Sequence, residues 1–262
     1  MFRIYHARFS DVFRPFVAKC HRRALRPIKV QSKEFHMIVI LTFIVSLFLR
    51  APMATPGQAG QRFDLIVRTD FFAGFAGDQA RLDKGMTACE RVLADNPNHA
   101  EALVWHGSGL AFNAGRAFQK GDMKTGGELW QRGIEEMEKA VALEPDNVGV
   151  RIPRGALLLQ ATQNMPAEMG RPLLEKAVGD YEHVLALQSA YFSTLGDHPK
   201  GELLFGLAEG YSRLGNGDKA RMYFDRLIKD APASGQAPKA QAWLATGAIP
   251  KSAGLGCVGC HK

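Results

Sequence analysis

Two cysteines and a histidine near the end of this 262-residue sequence have the types and spacing to do chemistry. Cys257 and Cys260 are separated by two residues, and His261 follows directly in the segment CVGCH. Two thiols at this spacing can attach to one planar group, close a disulfide or bind a metal ion, and the imidazole adds a nitrogen ligand. Gly259 keeps bulk out of the turn between the thiols. These residues are the strongest chemical signal in the sequence.

The segment resembles the haem-attachment motif of c-type cytochromes. The resemblance implies that the thiols of Cys257 and Cys260 hold one covalent haem c and that His261 is an axial ligand of its iron. It covers only these five residues, and only Lys262 follows them. A distal ligand is therefore expected from the helical part of this chain, from another protein or from water.

Two other interpretations of the motif stay open. A redox-active dithiol normally opens a helix in an α/β fold, where the helix terminus lowers the thiol pKa. A zinc site needs four ligands, so Cys257, Cys260 and His261 would require one more from elsewhere. The export signal described next favours haem, since haem attachment takes place outside the cytoplasm in most bacteria.

The first 59 residues have the composition of a leader. Thirteen mostly apolar residues, 37–49, follow a basic stretch and precede small residues and prolines. A membrane-spanning helix needs about 18–20 apolar residues, so this run has the length of a signal-peptide core. We expect cleavage after Ala54 or Ala59, with an uncleaved anchor as the alternative and either Met1 or Met37 as the start. The predicted location is the periplasm or cell envelope of a bacterium.

The charge distribution argues against nucleic acid as a partner. The formal net charge is +7, from 33 basic and 26 acidic residues. Nine of the basic residues lie in 1–36 and Arg50 follows, which leaves 23 basic and 24 acidic residues from Gly60 onward. Binding to phosphates requires concentrated Lys and Arg. We therefore expect a protein partner, with membrane contact only through an uncleaved leader.

Residues 60–247 have a helical pattern throughout. Apolar residues recur at spacings of three and four, with no sustained alternation. Pro97, Pro145 and Pro232 each separate two amphipathic stretches. The pattern predicts an all-α fold with helix pairs over 61–97, 98–145, 146–189 and 198–232, and a capping helix over 237–246.

The segment 201–234 resembles a tetratricopeptide repeat. Small residues alternate with large ones so that two antiparallel helices can pack closely, and the match extends over 34 positions. Gly107 and Gly155 occupy the corresponding small positions in earlier pairs. The resemblance implies stacked helix pairs with a continuous core. The residues that carry it are Leu204, Leu207, Ala208, Tyr211, Gly215, Ala220, Phe224, Leu227 and Pro232.

On tetratricopeptide geometry, the first helix of each pair lines a concave groove suited to a peptide or protein. The groove predicted from the last pair contains Glu202, Phe205, Glu209, Ser212 and Arg213, and that from earlier pairs contains Asn113, Arg116, Gln160 and Asn164. Candidates for a distal haem ligand are the histidines and turn methionines, although a structural role is the simpler interpretation of each. They are His99, His106, His183, His198, Met165 and Met169, whereas Met86, Met137 and Met222 are expected to fill the core.

The predicted function combines these parts. The chain is interpreted as an exported tetratricopeptide-like protein with a domain for protein–protein interaction over 60–247 and a haem-bearing tail over 248–262. It would exchange electrons with a docked partner and would not be an enzyme, since the sequence contains no phosphate loop, HExxH or nucleophile elbow. The alternatives are an envelope assembly scaffold whose haem is structural or absent, and a haem-based sensor or enzyme for a small ligand.

Overall fold

The structure is a computed structural model that describes residues 62–249, apart from the side chain of Asn164. These residues form nine α-helices and two short 3₁₀ turns, and this part of the chain contains no β-strand. The predicted all-α fold is confirmed. The helices are α1 Asp64–Phe75, α2 Gln79–Asp95, α3 Ala100–Gln119, α4 Met123–Leu143, α5 Val148–Ala161, α6 Ala167–Gln188, α7 Asp197–Arg213, α8 Gly217–Asp230 and α9 Ala237–Thr246, with 3₁₀ turns at Thr162–Asn164 and Ser189–Thr194.

The helices pack as four pairs and a cap. The partners α1 and α2, α3 and α4, α5 and α6, and α7 and α8 lie side by side, and α9 packs on α8. The first helices of successive pairs also contact one another, because α3 packs on both α1 and α5, and α5 packs on α7. This stacking is that of a tetratricopeptide-like helical repeat, as the sequence predicted.

Two kinds of turn alternate along the stack. Within three of the pairs the chain reverses through a glycine with positive φ, at Gly77, Gly121 and Gly215. Glycine is required there because side chains disfavour the left-handed region. Between pairs the helices end just before Pro97 and Pro145, and α8 ends before Pro232, where proline cannot continue a helix.

Small residues set the distance between the two helices of a pair. A Cβ atom on Gly107 of α3 would lie 2.6 Å from the carbonyl oxygen of Gly133 on α4. In the last pair, Ala208 and Ala220 are completely buried. The backbones therefore approach each other too closely for larger side chains at these positions.

The core runs through the stack in two connected parts. The first lies among α1 to α4, and the second lies among α5 to α9. Helix α5 joins them, since its Val150 belongs to the first part and its Leu158 to the second. Ile134 on α4 contacts both. Burial of this continuous apolar surface is the main stabilising contribution to the repeat.

Candidate functional site

The predicted haem ligands Cys257, Cys260 and His261 lie outside the described residues, as do the leader and its cleavage sites at Ala54 and Ala59. Helix α9 ends at Gly247, whose left-handed backbone (φ 72°) closes the helix with a hydrogen bond from its N–H to the carbonyl of Trp243. The described part ends two residues later, at Ile249. The haem assignment therefore stays a prediction from the sequence.

The histidines considered as distal ligands make contacts within the helical domain. His99 caps α3, with its Nδ1 accepting a hydrogen bond from the backbone N–H of Ala102. A neutral ring that accepts at Nδ1 carries its proton on Nε2, which is then no ligand for iron. His183 on α6 bonds Asp146, in the connection between α4 and α5, at 2.7 Å. His198 also has an interaction partner.

His106 is a buried side chain of α3 with carboxylates from two other helices nearby. Its side chain is 2% exposed, and its Nδ1 lies 2.5 Å from a carboxylate oxygen of Glu136. Nε2 faces Glu90 at 3.7 Å. The hydrogen bond between Nδ1 and Glu136 therefore joins α3 to α4, and Glu90 on α2 lies near the other ring nitrogen without a hydrogen bond.

The methionines divide between core and surface. Met86 and Met137 are buried, as predicted for gap-filling side chains. The prediction for Met222 is wrong, because its side chain is 50% exposed on α8. Met169 is also exposed, near the beginning of α6, and Met165 is half-buried. The exposed thioethers of Met169 and Met222 are of a chemical type that binds haem iron.

The groove predicted around Glu209 and Arg213 is closed in the structure. Glu209 is 8% exposed and accepts a hydrogen bond from Gln163 at 3.1 Å. Arg213 donates to the carbonyl of Leu159 at 2.6 Å and to the hydroxyl of Thr162 at 2.7 Å. The two side chains also face each other at 3.7 Å. They bind α7 to the end of α5 and its 3₁₀ turn, so the interpretation as a peptide-binding surface is wrong here.

The pKa of Glu209 follows from this position. Burial raises the pKa of its carboxyl, and the neighbouring Arg213, Gln163 and Lys239 offset only part of that effect. Burial also lowers the pKa of Arg213. Glu209 and Arg213 therefore form a structural contact, and burial of their charges costs free energy.

The other predicted groove residues of α7 contact α8, α9 and Gln236, the residue directly before α9. Ser212 accepts a hydrogen bond from the indole N–H of Trp243 at 2.9 Å, and Glu202 accepts one from Gln236 at 2.8 Å. Phe205 is buried against Phe224. The cap and the 3₁₀ turn together provide hydrogen-bond partners for these polar residues of α7. The sequence alone places the same residues on an open surface.

An open pocket remains at the other predicted segment. It lies where the start of α2, the end of α3 and the start of α4 meet, and it includes the predicted groove residues Asn113 and Arg116. Arg116 donates a hydrogen bond to the amide of Gln79. Asp122 caps α4, and hydrogen bonds from Thr125 lower the pKa of its carboxyl. The complete lining is Gln79, Asn113, Arg116, Ala117, Lys120, Asp122 and Thr125.

The lining of this pocket is about equally polar and apolar, and it carries charges of both signs. Lys120 is exposed, whereas Arg116 and Asn113 are half-buried. Amide, guanidinium and ammonium groups donate hydrogen bonds, and the carboxylate of Asp122 accepts them. These groups can bind the backbone and the polar side chains of a peptide segment. Of the other two predicted groove residues, Gln160 donates to Gln163 at 3.3 Å, and the side chain of Asn164 lies outside the described part.

A buried ion-pair network between α4, α5 and α6 has no counterpart in the sequence analysis. Arg154 and Asp180 form two hydrogen bonds of 2.7 Å, and Arg151 adds a third to Asp180 at 2.7 Å. Glu138 bonds both Arg154 and Lys176. The partners are far apart in the sequence, and spacing along one helix contains no signal for such pairs.

Cys89 and the phenylalanines of α1 have structural roles. Cys89 is completely buried, and burial together with the carboxylates of Glu136 and Glu90 raises the pKa of its thiol far above the usual value. Phe71 is buried against Trp105, with ring centroids 5.2 Å apart. Phe75 packs on Phe112, with ring centroids 4.9 Å apart.

Among residues 62–249 no three His, Cys, Asp or Glu side chains converge as a metal site. No helix in this part of the chain is long and apolar enough to cross a membrane.

Comparisons with known proteins give structural likeness only. No protein-family model matches the sequence, and none of the curated proteins matches it. The crystal structure of MamA is similar with a TM-score of 0.41 and 19% identity, over 64% of this chain and 81% of MamA. The tetratricopeptide protein TTC0263 of Thermus thermophilus is similar with a TM-score of 0.45 and 20% identity, over 69% of this chain and 81% of that protein.

Proposed function

We propose that this chain is an exported protein-binding repeat that carries one covalent haem c and exchanges electrons with a docked partner. The observation that carries the proposal is the CVGCH segment at 257–261 in a chain whose preceding residues form a tetratricopeptide-like stack. The haem assignment rests on the motif, and the binding assignment rests on the repeat and its polar pocket. Export rests on the apolar run at 37–49.

Each residue of the motif has a defined part in this proposal. Cys257 and Cys260 would hold the haem through thioether bonds, made by adding their thiols across its vinyl groups, and His261 would bind its iron. A haem of this kind supplies reversible one-electron transfer when it is bound. The segment from Ile249 to His261 spans at most about 40 Å, so the motif stays near the helical domain.

The second axial ligand has candidates in the described part of the chain. Met169 and Met222 are exposed residues, whereas His99, His106 and His183 are engaged with neighbouring groups. A methionine ligand would therefore require no rearrangement of the helical contacts. A ligand from the partner is the alternative.

The partner is expected to use the polar pocket formed by α2, α3 and α4. Arg116 and Lys120 can bind carbonyl or carboxylate oxygens of a peptide, and Asp122 can bind its N–H groups. Because the pocket contains both signs of charge, we expect a mixed polar segment and not an acidic one alone. Replacing Lys120 with Glu should weaken the binding of such a partner.

An assembly scaffold without functional haem is the second candidate, and the intact helical stack with its own surface pocket favours it. Absorption spectra of protein made with a haem-attachment system distinguish the possibilities. Low-spin haem that is reversibly reduced supports electron transfer. A chain that carries no haem supports the scaffold. High-spin haem that binds small ligands supports a sensor or enzyme instead.

A further inference from the structure

The pocket formed by α2, α3 and α4 presents hydrogen-bond donors that nothing else in residues 62–249 engages. Asn113, Arg116 and Lys120 recur at spacings of three and four, so they share one face at the end of α3. In this part of the chain the amide of Asn113 and the ammonium of Lys120 have neither a hydrogen bond nor an ion pair. The pocket therefore offers unpaired N–H groups to a ligand.

The carboxylate in the lining, Asp122, is already engaged. It caps α4, with hydrogen bonds from Thr125 that include one of 3.0 Å from the backbone N–H. These bonds lower the pKa of Asp122, so its side chain is ionised at neutral pH. The lining thus contains two cations, Arg116 and Lys120, and one anion, which leaves a net charge of +1.

Arg116 is held at the pocket by a neutral partner. Its guanidinium donates to the amide oxygen of Gln79 on α2, and the amide N–H of Gln79 donates to Asp83 at 2.6 Å. The dipole of α3 favours cations in its last turn, but it does not explain hydrogen bonds that begin on another helix. Arg81, two residues after Gln79, instead pairs with the carboxylate of Asp70. Because Gln79 is uncharged, the charge of Arg116 stays uncompensated within the described part of the chain.

We propose that this pocket binds one acidic side chain, glutamate or aspartate, of the partner's peptide segment, with its carboxylate between Arg116 and Lys120. The inference rests on the proposed protein-binding function and names the group that the pocket recognises. Charge-assisted hydrogen bonds from guanidinium and ammonium groups to a carboxylate are strong. One carboxylate also neutralises the net charge of the lining. It reduces the repulsion between two cations that lie four residues apart on one helix face.

Charge and size argue against a phosphorylated or a larger ligand. A phosphate group carries about 1.5–2 negative charges at neutral pH, which exceeds the charge of the lining and would be repelled by Asp122. The pocket has a volume of about 360 Å³, near the lower end of the range of about 300–1,000 Å³ for ligand sites. This space suits one side chain with its adjoining backbone, to which the amide of Asn113 can bind.

Titration of the full chain with two blocked peptides, followed by NMR, tests the proposal. Acetyl-Gly-Glu-Gly-amide should shift the backbone amide signals of residues 113–125 until they saturate. Acetyl-Gly-Gln-Gly-amide has the same size without the charge and should bind at least about tenfold more weakly, since charge-assisted hydrogen bonds are roughly twice as strong as neutral ones. Inorganic phosphate at the same ionic strength should also bind more weakly than the glutamate peptide. Equal binding of the two peptides, or tighter binding of phosphate, would overturn the proposal.

Two charge-matched variants locate the carboxylate. Arg116→Gln should weaken binding of the glutamate peptide at least about tenfold, because the strongest donor is lost. Arg91→Gln, at an exposed position in the second half of α2, should leave that binding unchanged. Both variants lose one positive charge, so a difference between them reports the local contact. Circular dichroism checks that both fold, and binding that survives Arg116→Gln would refute the assignment.

The titration requires neither the haem nor the partner, so it separates this inference from the proposed electron transfer. A chain that binds the glutamate peptide but acquires no haem would contradict the electron-transfer proposal and support the carboxylate site. A chain that carries haem but binds the glutamate and glutamine peptides equally would contradict the carboxylate site alone.

Discussion

Arg154 on α5 and Asp180 on α6 form a buried bidentate ion pair, with two hydrogen bonds of 2.7 Å between the guanidinium and the carboxylate. The side chains are 7% and 1% exposed. Arg151 on α5 also bonds Asp180, and Glu138 on α4 bonds Arg154. The third helix pair is thus fixed by charge as well as by apolar packing.

Removal of one partner of this ion pair should strongly lower the stability of the protein. We expect Asp180→Ala to lower the free energy of unfolding by about 3–5 kcal/mol, because two arginines lose their buried counter-charge. The combined change Arg154→Met and Asp180→Leu should cost less than the single change. Arg171→Ala is the control, since its pair with Glu175 is exposed and is worth at most about 1 kcal/mol. Urea unfolding measures all three, and equal costs for Asp180→Ala and Arg171→Ala would refute the assignment.

The close approach of α3 and α4 gives a prediction at Gly107. We expect Gly107→Ala to destabilise the protein by about 1–3 kcal/mol, since the added methyl group would meet the carbonyl of Gly133. Gly115, on the same helix, is the matched control because a Cβ there meets nothing within 4 Å. Gly115→Ala should raise stability by about 0.5–1 kcal/mol. Thermal unfolding compares them, and the same sign for both variants would contradict the packing argument.

Glu209 should make the stability depend on pH in an unusual direction. Burial raises the pKa of this carboxyl in the folded protein. The folded state therefore binds the proton more tightly than the unfolded state, and this contribution is present at low pH and lost as pH rises through the folded pKa. The melting temperature of the wild type relative to Glu209→Gln should increase as pH falls from neutrality towards about 4.3, the usual value for glutamate. A difference that does not change with pH would contradict this account.

Asp70 should show the opposite dependence. Burial acts to raise the pKa of its carboxyl, but hydrogen bonds and charges from Arg81 and Lys84 outweigh burial and hold the pKa below its usual value. The contribution is thus present above the unfolded pKa, about 3.9 for aspartate, and is lost as pH falls through the folded value. Relative to Asp70→Asn, the wild type should lose stability on acidification below about pH 4. Melting curves of the wild type and of Asp70→Asn, recorded at acidic and at neutral pH, measure this effect. A wild type that gains melting temperature over the variant in acid would contradict the account.

The sequence predicted the helix pairs well because their signals are local. Pro97 and Pro145 mark boundaries between pairs, Pro232 marks the boundary between the last pair and the cap, and the small residues Ala208 and Ala220 mark the close contact within the last pair. Such features act through the backbone and through neighbours on the same helices. They are therefore visible in spacing alone.

The candidate site was less predictable because it depends on distant residues. The concave position of Glu209 and Arg213 follows from ideal repeat geometry, but hydrogen bonds to the end of α5 and its 3₁₀ turn engage both side chains, and Glu209 is buried. Met222 is apolar yet exposed, because an amphipathic pattern tolerates single apolar residues on its outer side. Asn113 and Arg116 do line a pocket, but α2, α4 and the turn before α4 form its other sides, and not the first helices of neighbouring pairs.

The covalent haem is most directly tested by intact mass spectrometry of protein produced with a haem-attachment system. We expect the wild type to carry the mass of one haem, and the variant Cys257→Ala with Cys260→Ala to carry none. The double variant should keep the cooperative thermal transition of the helical domain, since residues 62–249 form their own core. A wild-type chain with unmodified mass, made under conditions in which a known c-type cytochrome acquires haem, would contradict the central proposal.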